Sequence, residues 1–245
     1  RVMKSQPVLD SFDRFKSAIT DAKVFIIEGS ERMELVFNND TANPAFALPD
    51  QNYKVKPGTK YSLEVRIMEN GIEKLITGTT TTPERVEWVR RVKHFEQYPL
   101  DTAHVKPNDT CSWTDVKRPV YYLLSCRCLD TLEYGKYLDG GNPNEKNRRI
   151  YRPWDDEEHQ SKHPELSQWA MISENSSPVV WTIFKFYGLH EVTIWVPEQN
   201  FLTWFIQYSW FADYNENTSS VKGGLGWFGS ASCVRDTLFV LKNQP

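Results

Sequence analysis

The chain has 245 residues, with 29 basic and 32 acidic side chains and a formal net charge of −3 at pH 7. This length is enough for one large or two small domains with a hydrophobic core. Because the basic stripe typical of nucleic-acid-binding domains is absent, we expect no nucleic-acid partner. The nine Trp, eleven Tyr and thirteen Phe residues favour β-strands, and also surfaces that bind sugars or proteins.

Short predicted strands alternate with turn signals over residues 1–83. These strands are Lys23–Glu28, Arg32–Phe37, Asn52–Val55, Tyr61–Glu69 and Ile72–Thr81. Asn70-Gly71 stands between two alternating runs, which is the strongest hairpin signal available from a sequence. Regular short strands with such turns predict an immunoglobulin- or fibronectin-like sandwich as the first domain.

Residues 84–245 are predicted to form a larger, strand-rich second domain, so the expected fold class is all-β. Its predicted strands are Val120–Cys128, Val179–Tyr187, Glu191–Val196, Phe201–Ala212 and Val234–Leu241. A membrane-spanning helix needs roughly 20 consecutive apolar residues, and no stretch of the chain reaches that length.

A long polar loop interrupts the second domain at residues 138–164. Loops of this length inside a compact domain are usually functional or disordered. Arg149, Arg152 and Trp154 in the loop, together with Trp169 just after it, are the predicted ligand- or partner-binding residues, since exposed Trp beside charged groups suits sugar stacking or protein contacts.

The same loop carries the run Asp155-Asp156-Glu157-Glu158-His159, followed by His163. On a helix the two histidines would share a face, and carboxylates together with imidazoles could bind Zn²⁺ or Ca²⁺ in principle. Pro164 follows at once, however, and a charge run beside a proline is usually a solvated loop. We therefore predict no metal site.

The four cysteines are Cys111, Cys126, Cys128 and Cys233. Cys126 and Cys128 lie two residues apart on a predicted strand, with side chains on one face about 7 Å apart, so they cannot easily bond to each other. Disulfides from these two to Cys111 and Cys233 are the favoured interpretation, since an even number of cysteines fits an oxidising compartment. Free buried thiols and a metal site are the alternatives.

Four glycines, Gly223, Gly224, Gly226 and Gly229, fall within seven positions and alternate with large apolar residues. A phosphate-binding loop would need a helix after the glycines, but Cys233–Leu241 has the composition of a strand. The four glycines are therefore predicted to be structural residues, at tight turns or where two backbone segments lie close together. This segment is expected to complete the second domain.

No catalytic residue can be named from the sequence. The chain lacks G-x-S-x-G, since Gly229-Ser230-Ala231 has no second glycine, and no cysteine lies in a recognisable Cys-His signature. We expect a protein without enzymatic activity or cofactor. A hydrolase with an unrecognised carboxylate pair stays an alternative, because such pairs are close in space rather than in sequence.

The pattern Asn217-x-x-x-Val221-x-Gly-Gly-Leu-Gly-x-Phe-Gly-Ser230 resembles the C-terminal signature of a family of Bacteroidota outer-membrane surface lipoproteins of unknown function. Ala22–Ile27 resembles the first strand of that family, and Tyr53–Ile67 its proline-glycine turn and following strand. Thr77–Pro83 resembles the exit from its first domain. These matching ends cover about half of the chain.

The resemblance implies an exported lipoprotein at the bacterial cell surface, often encoded near TonB-dependent transporters. Its lipid anchor, the only expected membrane attachment, would lie upstream of Arg1. The expected function is that of a non-enzymatic accessory or binding subunit of an outer-membrane, transporter-type complex. A glycan-binding surface protein is the alternative from another functional class.

Overall fold

The structure is a computed structural model of the chain, and it describes most but not all residues. The described residues are 1–4, 14–39, 44–98, 110–117, 120–130, 150, 167–210 and 218–241. No helix in these ranges is long and apolar enough to cross a membrane.

Fourteen strands and two α-helices are described. The helices are α1 (Arg14–Ser17) and α2 (Gln199–Trp210). The strands are β1 (Lys23–Glu28), β2 (Glu31–Asn38), β3 (Ala45–Ala47), β4 (Lys60–Glu69), β5 (Ile72–Thr81), β6 (Trp88–Arg90), β7 (Phe95–Gln97), β8 (Thr110–Trp113), β9 (Tyr122–Cys128), β10 (Gln168–Ile172), β11 (Ser176–Pro178), β12 (Gly188–Pro197), β13 (Val221–Lys222) and β14 (Ala231–Leu241).

The chain divides into two compact units, and each unit contains two separate stretches of sequence. The first unit contains Arg1–Pro83 and Glu198–Ala231, and the second contains Glu84–Pro197 and Ser232–Pro245. The predicted domain boundary after residue 83 coincides with one of these divisions. Residues 198–231, however, group with the first unit, whereas the sequence predicts them in the second domain.

The first unit is built on one six-stranded sheet with the strand order β13-β5-β4-β1-β2-β3. The core side of this sheet carries alternate apolar residues, for example Val24 and Val65, each only 3 % exposed. The predicted hairpin is confirmed, since β4 pairs with β5 around a turn in which Asn70 and Gly71 have φ of 53° and 79°. Positive φ at both positions is the requirement of a type I′ turn.

A strand was predicted at Phe201–Ala212, but helix α2 occupies this segment as far as Trp210, the last residue of it that the structure describes, so that prediction was wrong. Leu202 and Phe205 are buried three residues apart, which is helical spacing. Glu198 begins the helix, because its carboxylate accepts the backbone N–H of Asn200 at 2.8 Å and of Phe201 at 3.4 Å. A short apolar run fits both a buried strand and a helix, and here the cap decides between them.

The glycine-rich segment after α2 completes the sheet of the first unit, so the prediction that it closes the second domain was wrong. Strand β13 pairs with β5, and Gly223 then turns with φ of +84°. A Cβ atom at Gly223 would overlap the carbonyl oxygen of Leu75, and one at Gly229 would lie 2.6 Å from the backbone nitrogen of Phe201. Close backbone approach is therefore the reason for glycine at both positions.

The described part of the second unit contains two sheets around one core. Their strand orders are β10-β9-β12-β14-β7 and β11-β8-β6, and β7 runs parallel to β14. Trp113 of β8 is fully buried and packs edge-on against Tyr122 of β9, with ring centroids 5.2 Å apart. Ile194 of β12 and Val240 of β14 belong to the same core. The unit is thus a two-sheet sandwich, and the predicted all-β fold class is confirmed. The immunoglobulin-like assignment of the first domain stays a prediction.

Two other predicted strands were wrong. Asn52–Val55 follows a local turn, in which the Asp50 carboxylate accepts the Asn52 N–H at 2.8 Å. Side chains of Asp hydrogen-bond their own backbone in this way and compete with strand pairing. Val179–Tyr187 contains the 3-10 turn Trp181–Ile183, so this segment is not one continuous strand. Most of its aromatic side chains are buried and do not alternate between a buried and an exposed face.

Candidate functional site

The candidate site lies on the face of the five-stranded sheet that points away from the core of the second unit. On β9 and β12 the core takes the even-numbered residues, for example Leu124 and Ile194. Side chains alternate along a strand, so the odd-numbered residues point to the opposite face. The strand registers place Trp169 opposite Ser125, and Ser125 opposite Thr193, on that face.

Four residues, one from each of four neighbouring strands, form a row that we call the tryptophan stripe. They are Trp169 of β10, Ser125 of β9, Trp195 of β12 and Arg235 of β14. The two indole rings have centroids 5.9 Å apart and are tilted by 36°. The Trp195 Nε1–H donates a 2.9 Å hydrogen bond to the Ser125 hydroxyl, and the Arg235 guanidinium carbon lies 5.8 Å from the Trp195 ring centroid.

The tryptophan stripe lies among buried side chains on this face of the sheet. Ser125 is 6 % exposed and Thr193 is 2 % exposed, whereas Trp169 on the edge strand β10 keeps 38 % of its surface accessible. The backbone carbonyl of Arg235 accepts the indole N–H of Trp88 at 3.1 Å. These contacts hold the Trp195 ring and the Arg235 backbone in place, so the stripe presents an aromatic surface that needs little ordering when it binds.

A charged pair borders the stripe. Arg127 and Glu191 are direct cross-strand neighbours on the same face, with Nη2 and Oε1 3.4 Å apart. Both side chains are partly exposed, so the pair adds little stability. Together with Arg235 it supplies groups on this face of the sheet that donate and accept hydrogen bonds. A rigid aromatic surface with a polar rim is typical of sites that bind sugars or proteins.

The four predicted binding residues divide into two groups. Arg149, Arg152 and Trp154 lie outside the described residues, and so does the acidic cluster that begins at Asp155. Trp169 is described and belongs to the stripe. Their joint role in binding therefore stays a prediction.

Trp195 is not among the binding residues predicted from the sequence. The run Val192-Thr-Ile-Trp-Val196 alternates strictly, and Val192, Ile194 and Val196 are all buried in the core. Period-2 alternation therefore places Trp195 on the opposite face, which is the signal that could have identified it. Arg235 could have been found in the same way, because Leu238 and Val240 of β14 point to the core.

All four cysteines are free thiols, so the predicted disulfides are wrong. Cys126 and Cys128 are buried on the core side of β9, whereas Cys233 has the same parity on β14 as the outward-facing Arg235. Cys233 therefore points to the opposite side of the sheet and cannot reach either thiol.

Burial also makes two of these thiols unreactive. It raises the pKa of Cys111 to about 11 and the pKa of Cys126 well above its ordinary value, since the thiolate would lose its hydration. Among the described residues no three His, Cys, Asp or Glu side chains are grouped so that they could hold a metal ion.

No protein-family model matches the chain, and the comparison with curated proteins finds no relative.

Proposed function

We propose that this protein is a non-enzymatic binding subunit exposed on the bacterial envelope, an accessory component of an outer-membrane complex of the TonB-dependent transporter type. The observation that carries the binding role is the tryptophan stripe. The resemblance to surface lipoproteins supports the location, with membrane attachment through a lipid anchor upstream of Arg1.

The composition of the stripe supports a protein partner. Trp and Arg are the residues most enriched among those that dominate the energy of protein interfaces. Trp169 and Trp195 provide large rings with few rotatable bonds, so ordering them on binding costs little conformational entropy. Arg235 beside the rings supplies a charge that selects a partner with acidic or carbonyl groups at the matching position.

Affinity capture from native envelopes tests this proposal. Wild-type protein is expected to retain a transporter-type outer-membrane protein, identified by mass spectrometry. The Trp169→Ala variant is expected to retain at least about tenfold less of that protein. Phe95→Ala is the matched control, because Phe95 is another exposed aromatic residue, 68 % accessible, on the opposite edge strand of the same sheet. Equal recovery with Trp169→Ala and wild type would contradict a role for the stripe.

Glycan binding is the second candidate function, favoured by the geometry of the two indole rings. The rings are 5.9 Å apart and tilted by 36°, so they offer two neighbouring aromatic faces. Sugar rings stack their C–H faces on such surfaces while Arg and Glu at the rim bond their hydroxyls. Quenching or enhancement of tryptophan fluorescence on a panel of oligosaccharides, lost in Trp169→Ala, would support this function over the protein partner.

A further inference from the structure

A second surface of different chemistry lies on the first unit. It is a groove of about 360 Å³ on the sheet, and it lies within the size range of small-molecule sites. We call it the hydroxyl groove; its lining includes Ser62, Thr77, Thr79, Ser220, Glu64 and Lys222.

The groove is a consequence of side-chain size across neighbouring strands. The registers place Thr77 between Glu64 of β4 and Lys222 of β13, and Thr79 opposite Ser62 of β4. Thr77 and Thr79 on the intervening strand β5 are short, whereas Glu64 and Lys222 on either side are long. The short side chains therefore form the base of the groove and the long ones its sides.

The hydroxyls at the base are available to a ligand. Ser62, Thr77 and Thr79 make no side-chain hydrogen bond within the part of the chain that the structure describes. Each hydroxyl donates one hydrogen bond and accepts up to two, so three adjacent ones match a ligand that carries several hydroxyl groups. The strand pairing of β4 and β5 fixes their spacing before any ligand binds.

The charges around the groove favour an anionic ligand. The Glu64 carboxylate is held by two guanidinium groups, from Arg32 at 2.5 Å and Arg66 at 2.6 Å, and Arg32 also lies over the Phe25 ring at 3.7 Å. Its charge is therefore compensated within the protein. Lys222, on the other side, is exposed and forms no ion pair with any described residue. Within the groove lining, Lys222 is thus a cation that no described carboxylate neutralises, although the whole chain carries −3.

From these observations we propose that the hydroxyl groove binds an acidic saccharide, with the sugar hydroxyls on Ser62, Thr77 and Thr79 and the sugar carboxylate on Lys222. A charge-assisted hydrogen bond between ammonium and carboxylate is roughly twice as strong as a neutral one, so Lys222 would select acidic over neutral sugars. This binding is separate from the proposed role of the tryptophan stripe, which lies on the other unit.

Isothermal titration calorimetry with a trigalacturonate, at low and at physiological ionic strength, tests the proposal on the full chain. We expect saturable binding that weakens with salt, and at least about a tenfold loss of affinity in Lys222→Gln. Thr77→Val keeps the branched shape while removing the hydroxyl, and about a threefold to tenfold loss is expected. Lys74→Gln, at an exposed lysine on β5, is the control and should bind like wild type.

Two further ligands separate the possible sources of a signal. A neutral galactose trimer should bind at least about tenfold more weakly than the acidic trimer. Equal binding of inorganic phosphate or of an acidic peptide would overturn the saccharide assignment, and so would full affinity in both Lys222→Gln and Thr77→Val. Loss of trigalacturonate binding in Trp169→Ala, with full binding in Lys222→Gln, would place the sugar on the tryptophan stripe and overturn this proposal, so the failure of each proposal gives a different result.

Discussion

Gly223→Ala tests the most constrained backbone position of the first unit. Gly223 has φ of +84°, and an added Cβ would overlap the Leu75 carbonyl oxygen and lie 3.3 Å from its carbon and 3.4 Å from the Ile76 Cα. These neighbours are backbone atoms of β5, so no side chain can rotate away. An alanine at this position therefore fits only if β5, or the segment that contains residue 223, moves.

The expected loss of stability has two parts. The left-handed backbone costs an alanine about 1–2 kcal/mol, and the steric overlap adds about 1–3 kcal/mol. Gly71→Ala is the matched control, because Gly71 has φ of +79° and an added methyl group there would meet no atom within 4 Å. The control isolates the backbone part, so the difference between the two variants measures the close approach at about 1–3 kcal/mol.

Urea unfolding followed by circular dichroism, with thermal scans in parallel, measures that difference. A chain of this size loses about 2–4 °C of melting temperature per kcal/mol, so Gly223→Ala should melt several degrees below Gly71→Ala. Equal unfolding midpoints for the two variants would refute the packing of Gly223 against β5 and, with it, the assignment of the glycine-rich segment to the first unit.

Two further predictions follow from the pKa values and from the cysteines. Hydrogen bonds from Lys56 and Tyr53 lower the pKa of Glu28 below its ordinary 4.5, so this carboxylate stabilises the fold above that pH and the contribution is lost as the pH falls through the lowered value. Glu28→Gln should therefore reduce the pH dependence of the urea midpoint below about pH 4.5, and an unchanged dependence would contradict this role. Thiol titration without reductant should find four reactive thiols in denatured protein, and in native protein Cys126 should react far more slowly than Cys233; fewer than four would contradict the absence of disulfides.

Local patterns predicted much of the first unit. Strands β1 and β5 have the predicted bounds, because alternation and the Asn70-Gly71 turn are properties of neighbouring residues. Helix α2 was not predicted, since its apolar run is compatible with a strand and its start depends on Glu198 directly after Pro197. The candidate site was predicted in one residue only, Trp169, because its partners come from strands that are distant in the sequence.

The division of the chain into units could not be predicted, because it also depends on strands that are distant in the sequence. Strand β13 pairs with β5 although about 140 residues separate them, and that pairing is visible only in three dimensions. Residues 1–83 therefore lack the strand that covers part of the β5 edge, and an uncovered edge invites pairing with other chains. The first unit is complete only when residues 198–231 are present. Packing within the first unit therefore requires glycine in that segment, even though residues of the second unit precede and follow the segment in the sequence.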